Sequence, residues 1–280
     1  MRQAKPTEAK PVQYLPYERA SLLGYYLSLG PKSVIWSKYF VHKVEDLTLC
    51  ITAFNEEENI ESLIGDLLLL KARYRGLSVK IRDNCSSDNT YILGCKLLEA
   101  QEATDIYRGE ENLGYGGGMR ATVLLSETKY VMIFPADGQY PMSAAIAAID
   151  DWCLTESEVL VGQRTKRSDS RTARIQSAVY SWMCRLLLRL DVWDINGLPK
   201  IFPREFVELE SFPYSKTFFF DAQLLAIARE RRLSTSFCEV EFRRRMNGTS
   251  SWATRRLRTF WKVSNELLAF RRFLNASTAG

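Results

Sequence analysis

Histidine is nearly missing from this sequence. Its 280 residues contain a single one, His42, which lies in no recognisable motif and is expected to be structural or merely exposed. Catalysis by a histidine base, a Ser-His triad or a histidine-rich zinc site is therefore not expected. Paired cysteines are missing too. The six present (Cys50, Cys85, Cys95, Cys153, Cys184, Cys238) include no CxxC pair and read as reduced thiols of an intracellular protein. No run approaches the roughly 20 apolar residues that span a bilayer, so no transmembrane helix is expected. The N-terminal "MRQAKPTEAKPVQYLPYERA" offers no apolar stretch for a signal peptide, which favours a cytoplasmic location. A strong charge excess is also lacking: the net charge of +5 fits anionic partners without singling out nucleic acid, nucleotide or membrane. Chemistry must then rest on carboxylates, amides, arginines, backbone groups and a hard metal ion.

What is present is an alternation of strands and helices. "LTLCITAF" from Leu47 is a continuous apolar run, as for a strand covered on both faces. In "NEEENIESLIGDLLLL", Ile60, Leu63, Ile64, Leu67 and Leu68 form one helical stripe, with Asn55 as the expected N-cap and Glu58 completing a capping box. "LSVKIRD" alternates like a strand and "TYILGCKLLEAQ" reads as a helix. A glycine-rich turn, the helix "MRATVLLSET", the strand "YVMIFPAD", the helix "SAAIAAIDDWC" and the strand "EVLVGQ" follow. Such alternation specifies an α/β fold, a mostly parallel sheet with helices on both faces. The expected organisation is an N-terminal extension with an aromatic-rich helical segment (1–44), the α/β domain (45–242) and a basic amphipathic C-terminal helix (243–280).

Ligands of open α/β sheets bind beyond the carboxyl ends of the strands. Three polar clusters fall there, "FNEEE", "DNCSSDNT" and "ADGQ", and they should meet on one sheet edge. "NLGYGGGMR" places four glycines before a helix, where backbone N–H groups can approach a phosphate. In "SAVYSWMCRLLLRLDVW", Val179, Met183, Leu186, Leu187 and Leu190 form an apolar stripe, expected to pack into the core, with an amphipathic helix near lipid as the rival reading. The segment 243–274 interleaves arginines with Trp252, Phe260, Trp261, Phe270 and Phe273, which fits an anionic membrane or an oligomer interface. No nucleic-acid-binding motif accompanies it, so nucleic acid is not an expected partner.

Taken in order, "TAFNEEENI", "DNCSSDNT", "ENLGYGGGMRA", "ADGQYP", "GQR", "DINGLPKIFPRE" and "RRRMNGTS" resemble the nucleotide-sugar glycosyltransferases of family 2, with the GT-A fold. The dolichyl- or polyprenyl-phosphate sugar transferase branch is the most similar. The resemblance implies nucleotide-sugar binding by Thr52, Phe54, Glu56, Asp83, Asn112, Gly114, Gly116, Ala136, Asp137 and Arg245, with Tyr115 where a lysine is common. It implies a Mg²⁺ or Mn²⁺ site at Asp137 and Gln139, with Pro135 where a further acidic residue is usual. Acceptor contacts fall to Arg171, Arg174, Ser177 and Lys200, Ala173 standing where the branch has an arginine.

The implied reaction moves a hexose from a GDP- or UDP-sugar, with inversion, to a polyprenyl-phosphate-type acceptor at the cytoplasmic membrane face. Asp137, Asp194 and Lys200 are the catalytic candidates: Lys200 or Arg245 to neutralise the leaving diphosphate, Asp194 as general base if the acceptor is a hydroxyl. A lipid phosphate is already an anion and needs no base. The alternatives are a soluble transferase acting on a hydroxyl of a saccharide, natural product or protein, and a non-catalytic nucleotide-sugar binder. A homo-oligomer fits the aromatic N-terminal segment and the basic C-terminal helix.

Overall fold

The apolar run from Leu47 forms β1 (Leu47–Ala53), buried along almost its whole length because helices cover both faces. The computed structural model describes residues 43–99, 104–155, 157–168, 170–210, 212–243 and 256–277, all within one unit that begins at Phe40. His42, the aromatic segment of the N-terminal extension and Arg245 lie outside the described residues. After β1 come α1 (Ile60–Arg73), β2 (Ser78–Asp83), α2 (Thr90–Leu98), β3 (Thr104–Arg108), α3 (Gly114–Val123), β4 (Tyr130–Pro135) and α4 (Met142–Leu154). Then follow β5 (Val159–Arg167), α5 (Arg171–Leu188), β6 (Lys200–Pro203), a 3₁₀ turn (Arg204–Val207), α6 (Phe219–Glu230), β7 (Thr235–Phe242) and α7 (Arg256–Ser277). The seven strands form one sheet in the order β3-β2-β1-β4-β6-β5-β7. Only β6 runs antiparallel to its neighbours. Among the described residues, no helix is long and apolar enough to cross a membrane.

Three local expectations differ from the structure. Asn55 does not cap α1, which starts at Ile60 behind Asn59; Asn59 makes no side-chain cap, and its amide nitrogen donates to Glu56. Asn55 instead adopts a left-handed φ of 56°. Its side chain accepts from Ser87 N at 2.9 Å while its own N–H donates to Ser86 Oγ at 2.9 Å, tying the first polar cluster to the second. The glycine-rich stretch is not a loop before a helix: α3 starts at Gly114 and includes the glycines.

On α5 the buried face is rotated from the expected stripe. Tyr180, Cys184 and Leu188 face the core; of the expected stripe Leu190 is buried and Met183 and Leu187 pack against the core, while Val179 and Leu186 are exposed. Tyr180 wins the interior by packing edge-on against Phe218, with centroids 5.0 Å apart. At the C-terminus, α7 buries Val263, Leu267 and Phe270. Phe270 packs against Phe212 and Phe219 at 5.4 and 5.6 Å. Glu266 accepts from Ser215 Oγ and Thr217 Oγ1 at 2.7 Å each. Phe270 is therefore part of the interior of the domain, and Phe273 packs partly buried against it.

Gly116 shows why α3 needs glycine. A Cβ there would sit 2.3 Å from Ser215 O and 2.6 Å from both Thr217 O and Phe220 Cβ, against backbone that cannot yield. Gly116→Ala is expected to lower unfolding free energy by about 1–3 kcal/mol in urea titration. Gly65→Ala in α1 has nothing within 4 Å of its new Cβ, and the same measurement should show a gain of up to about 1 kcal/mol.

Candidate active site

The strand registers bring the polar clusters together. Ala53 lies beside Asp83 in the β1–β2 ladder, and Thr52 beside Pro135 in the β1–β4 ladder. The loops carrying Phe54 to Glu56, Asn84 to Thr90 and Ala136 to Gln139 therefore leave the same sheet edge. Asp83 is fully buried, and both its oxygens accept from Ser86 N at 3.3 Å. Arg108 Nε stands 3.9 Å from Asp83. Thr52 Oγ1 meets Thr122 Oγ1 on α3 at 2.8 Å, while Phe54 projects into solvent. Glu56 is buried; it accepts from Asn59 Nδ2 at 2.7 Å, and its N–H donates to Thr90 Oγ1 at 2.8 Å.

Asn112 Oδ1 accepts from Asn84 Nδ2 at 3.0 Å and from Gly114 N at 2.8 Å, shaping the entry to α3. Asn84 also accepts from Leu113 N at 3.2 Å. Its part in holding the two loops together was not assigned from the sequence, where it is one amide among several polar neighbours. Gly116 packs against the 215–217 backbone, and its N–H donates to Lys216 O at 3.1 Å. Tyr115 turns inward as well, its hydroxyl donating to Asp221 Oδ2 at 3.0 Å.

At the end of β4, Ala136 is buried and Asp137 half-buried. Gly138 takes a left-handed φ of 68°, which folds Gln139 back so that its N–H donates to Asp137 Oδ1 at 3.1 Å. Gln139 Nε2 donates to Arg243 O at 3.4 Å, and Arg243 N donates to Gln139 O at 2.8 Å. With the amide nitrogen so engaged, the amide oxygen remains the donor atom for a ligand. One carboxylate and one amide oxygen, with no cluster of three acidic, His or Cys groups among the described residues, suit a hard cation that takes its other ligands from diphosphate oxygens and water. Pro135 occupies the last position of β4, where a missing ladder N–H costs little.

Ser177 and Asp194 meet around Arg164. Arg164 grips Asp194 through two nitrogens, Nε to Oδ2 at 2.6 Å and Nη2 to Oδ1 at 2.5 Å. Ser177 Oγ accepts from Arg164 Nη2 and Arg167 Nη1, each at 3.3 Å. Both guanidiniums lie over the Phe242 ring, at 5.0 and 5.9 Å. Arg164 and Arg167 received no role from the sequence, because only "GQR" marked their strand. Arg171 and Arg174 stand exposed on the first turns of α5.

Two catalytic expectations change here. Burial opposes charge on Asp194, but Arg164's hydrogen bonds and charge outweigh it and hold the carboxyl below its usual range. A carboxylate so held is a poor general base. Lys200 is 1% exposed, its Nζ donating to Asp221 Oδ1 at 2.8 Å and Gly197 O at 2.6 Å. It lies in the core and does not reach a leaving diphosphate. Burial lowers its pKa, against the opposing pull of Asp221.

Because the folded-state pKa of Asp194 is depressed, its contribution to stability is complete above the unfolded value and fades as pH falls through the folded one. Unfolding free energy should decline below about pH 4. Asp194→Asn should flatten part of that decline and cost about 3 kcal/mol at neutral pH, as read from urea midpoints across pH.

Residues 48–209, more than half of the chain, match the family described as Glycosyl transferase family 2. No curated protein matches the sequence. Solved structures similar in fold include three of glucosyl-3-phosphoglycerate synthase from Mycobacterium tuberculosis. The complex with phosphoglyceric acid has 17% identity and a TM-score of 0.59, covering 80% of this chain and 78% of that one. The complex with Mn²⁺, UDP-glucose and phosphoglyceric acid has 17% identity and a TM-score of 0.60, covering 80% and 79%. The complex with Mg²⁺ and UDP has 15% identity and a TM-score of 0.60, covering 81% and 83%. On the family match, this chain belongs to glycosyltransferase family 2.

Proposed function

We propose that the protein transfers a hexose from a UDP- or GDP-sugar, with inversion and with help from Mg²⁺ or Mn²⁺, to an acceptor that carries a phosphate. Thr52, Phe54, Asp83, Asn112, Gly114 and Ala136 line the donor side, with Glu56 holding the loop beneath. Asp137 and Gln139 would hold the metal, which when bound offsets the charge developing on the departing diphosphate. The acceptor phosphate sits against Ser177, Arg164 and Arg167. What carries this reading is the convergence of both guanidiniums on Ser177 Oγ at 3.3 Å, a positive seat closed from below by Phe242.

Two kinds of acceptor share that chemistry. A lipid phosphate of the polyprenyl type attacks with its own oxygen, which fits an Asp194 committed to Arg164. A soluble phosphorylated hydroxyl compound is favoured by the phosphoglyceric acid present in structures of similar fold. That route needs a base, and Asp194 would have to loosen from Arg164 to serve.

The test incubates UDP- and GDP-hexoses and Mn²⁺ or Mg²⁺ with a short polyprenyl phosphate, phosphoglyceric acid or a neutral saccharide, and identifies products by mass. Product is expected only with phosphate-bearing acceptors. Ser177→Ala should raise the acceptor KM about tenfold at nearly constant kcat. Asp137→Ala should lower turnover about 100-fold or more. Efficient transfer to the neutral saccharide would overturn the phosphate reading, and no turnover of any donor would favour the non-catalytic binder.

A further inference from the structure

Helix α5 carries apolar surface that its packing does not use. Ile175, Val179, Trp182 and Leu186 are 64%, 42%, 61% and 61% exposed. Their spacings of four, three and four residues place them in one line along the helix, within about 60° of arc. The buried Tyr180, Cys184 and Leu188 lie on the opposite side. Single exposed apolar residues are ordinary, but a row of four large ones aligned on one helix face is not. Just past the helix, Trp193 is 70% exposed and stacks with the Arg185 guanidinium, whose carbon lies 3.7 Å from the ring centroid.

Charge selects the occupant. Between residues 171 and 190 there is no Asp or Glu, while Arg171, Arg174, Arg185 and Arg189 are all present. Arg171, Arg174 and Arg189 are exposed; Arg171 falls within roughly 20° of the edge of the apolar row, and Arg189 is the left-handed C-cap residue at the end of the helix. A two-fold pairing of this face with a second copy would bring arginines against arginines, with no acidic residue of the helix to separate them. An anionic bilayer satisfies every part. The apolar row enters the acyl boundary, the tryptophans sit at headgroup depth, and the arginines reach lipid phosphates.

We propose that the outward face of α5, with Trp193, seats the enzyme on an anionic membrane surface. This goes beyond the transfer reaction and does not depend on the acceptor's identity. The inner side of the same helix carries Ser177 beside Arg164 and Arg167, so seating by this face brings the acceptor side next to the headgroup layer.

The full chain is tested by flotation with vesicles of pure phosphatidylcholine and of phosphatidylcholine with about one third phosphatidylglycerol, without donor or metal. Binding is expected to the anionic vesicles, weakened by salt, with a blue shift of tryptophan emission. The Ile175→Ser/Leu186→Ser variant changes only exposed side chains. It should keep its unfolding midpoint and hydrolyse or transfer donor as before in detergent-free buffer, yet lose about tenfold or more in vesicle partitioning. Arg189→Gln should reduce binding to the anionic vesicles severalfold. Absence of vesicle binding by the folded wild-type chain overturns the proposal. So does binding undiminished in the double variant, or a wild-type oligomer that the same two substitutions convert to monomer. Because vesicle binding is read without turnover, its loss is distinguishable from failure of the transfer reading.

Discussion

Lys200 and Asp221 meet beneath the strand ends, each 1% exposed and joined at 2.8 Å. Lys200 comes from β6, Asp221 from α6, and Tyr115 of the glycine-rich helix α3 donates to the second oxygen of Asp221 at 3.0 Å. Gly197 O, in the segment leading into β6, takes a further proton of Lys200 at 2.6 Å. A charge in this interior is tolerable only while its partner and its hydrogen bonds are all in place. The pair therefore ties the helix beneath the donor loops to the 194–200 segment on the acceptor side. The spacing between the two halves of the site depends on it.

Above this floor the polar residues are already engaged with one another. Asn55 joins the loop after β1 to the loop after β2, and Asn84 joins that loop to the entry of α3. Gln139 is folded back on Asp137 and bonded to the Arg243 backbone. Arg164 holds Asp194 with two nitrogens. Donors and acceptors fixed in this way do not have to reorient when a charged ligand arrives, which is where such sites gain over water.

Phe270 and Phe273 of α7 fill the gap beside Phe212 and Phe219, so a strongly basic helix is anchored to the domain. On α5, Tyr180, Cys184 and Leu188 take the interior; of the expected stripe Val179 and Leu186 are left outside, while Met183 and Leu187 pack partly buried against the core and Leu190 is buried. Hydrophobicity by itself does not distinguish the two faces of a helix with apolar residues on both.

The sequence by itself determined the α/β class, the order of its first strands and helices, and the meeting of the clusters at 54–56, 83–90 and 136–139. These follow from local patterning: apolar runs set the strands, and parallel connections put every loop that follows a strand at the same edge. It also determined the oxygen-donor character of Asp137 and Gln139, since that chemistry belongs to the side chains. Only the tertiary structure decided that Asp194 is held by Arg164, that Lys200 is buried against Asp221, and that Gly116 is needed for packing. Arg164 and Asp194 are 30 residues apart, and Lys200 and Asp221 are 21 apart. No local pattern encodes such partners. Whether a charged residue faces a ligand or a buried counter-charge is settled by which chain segment folds against it.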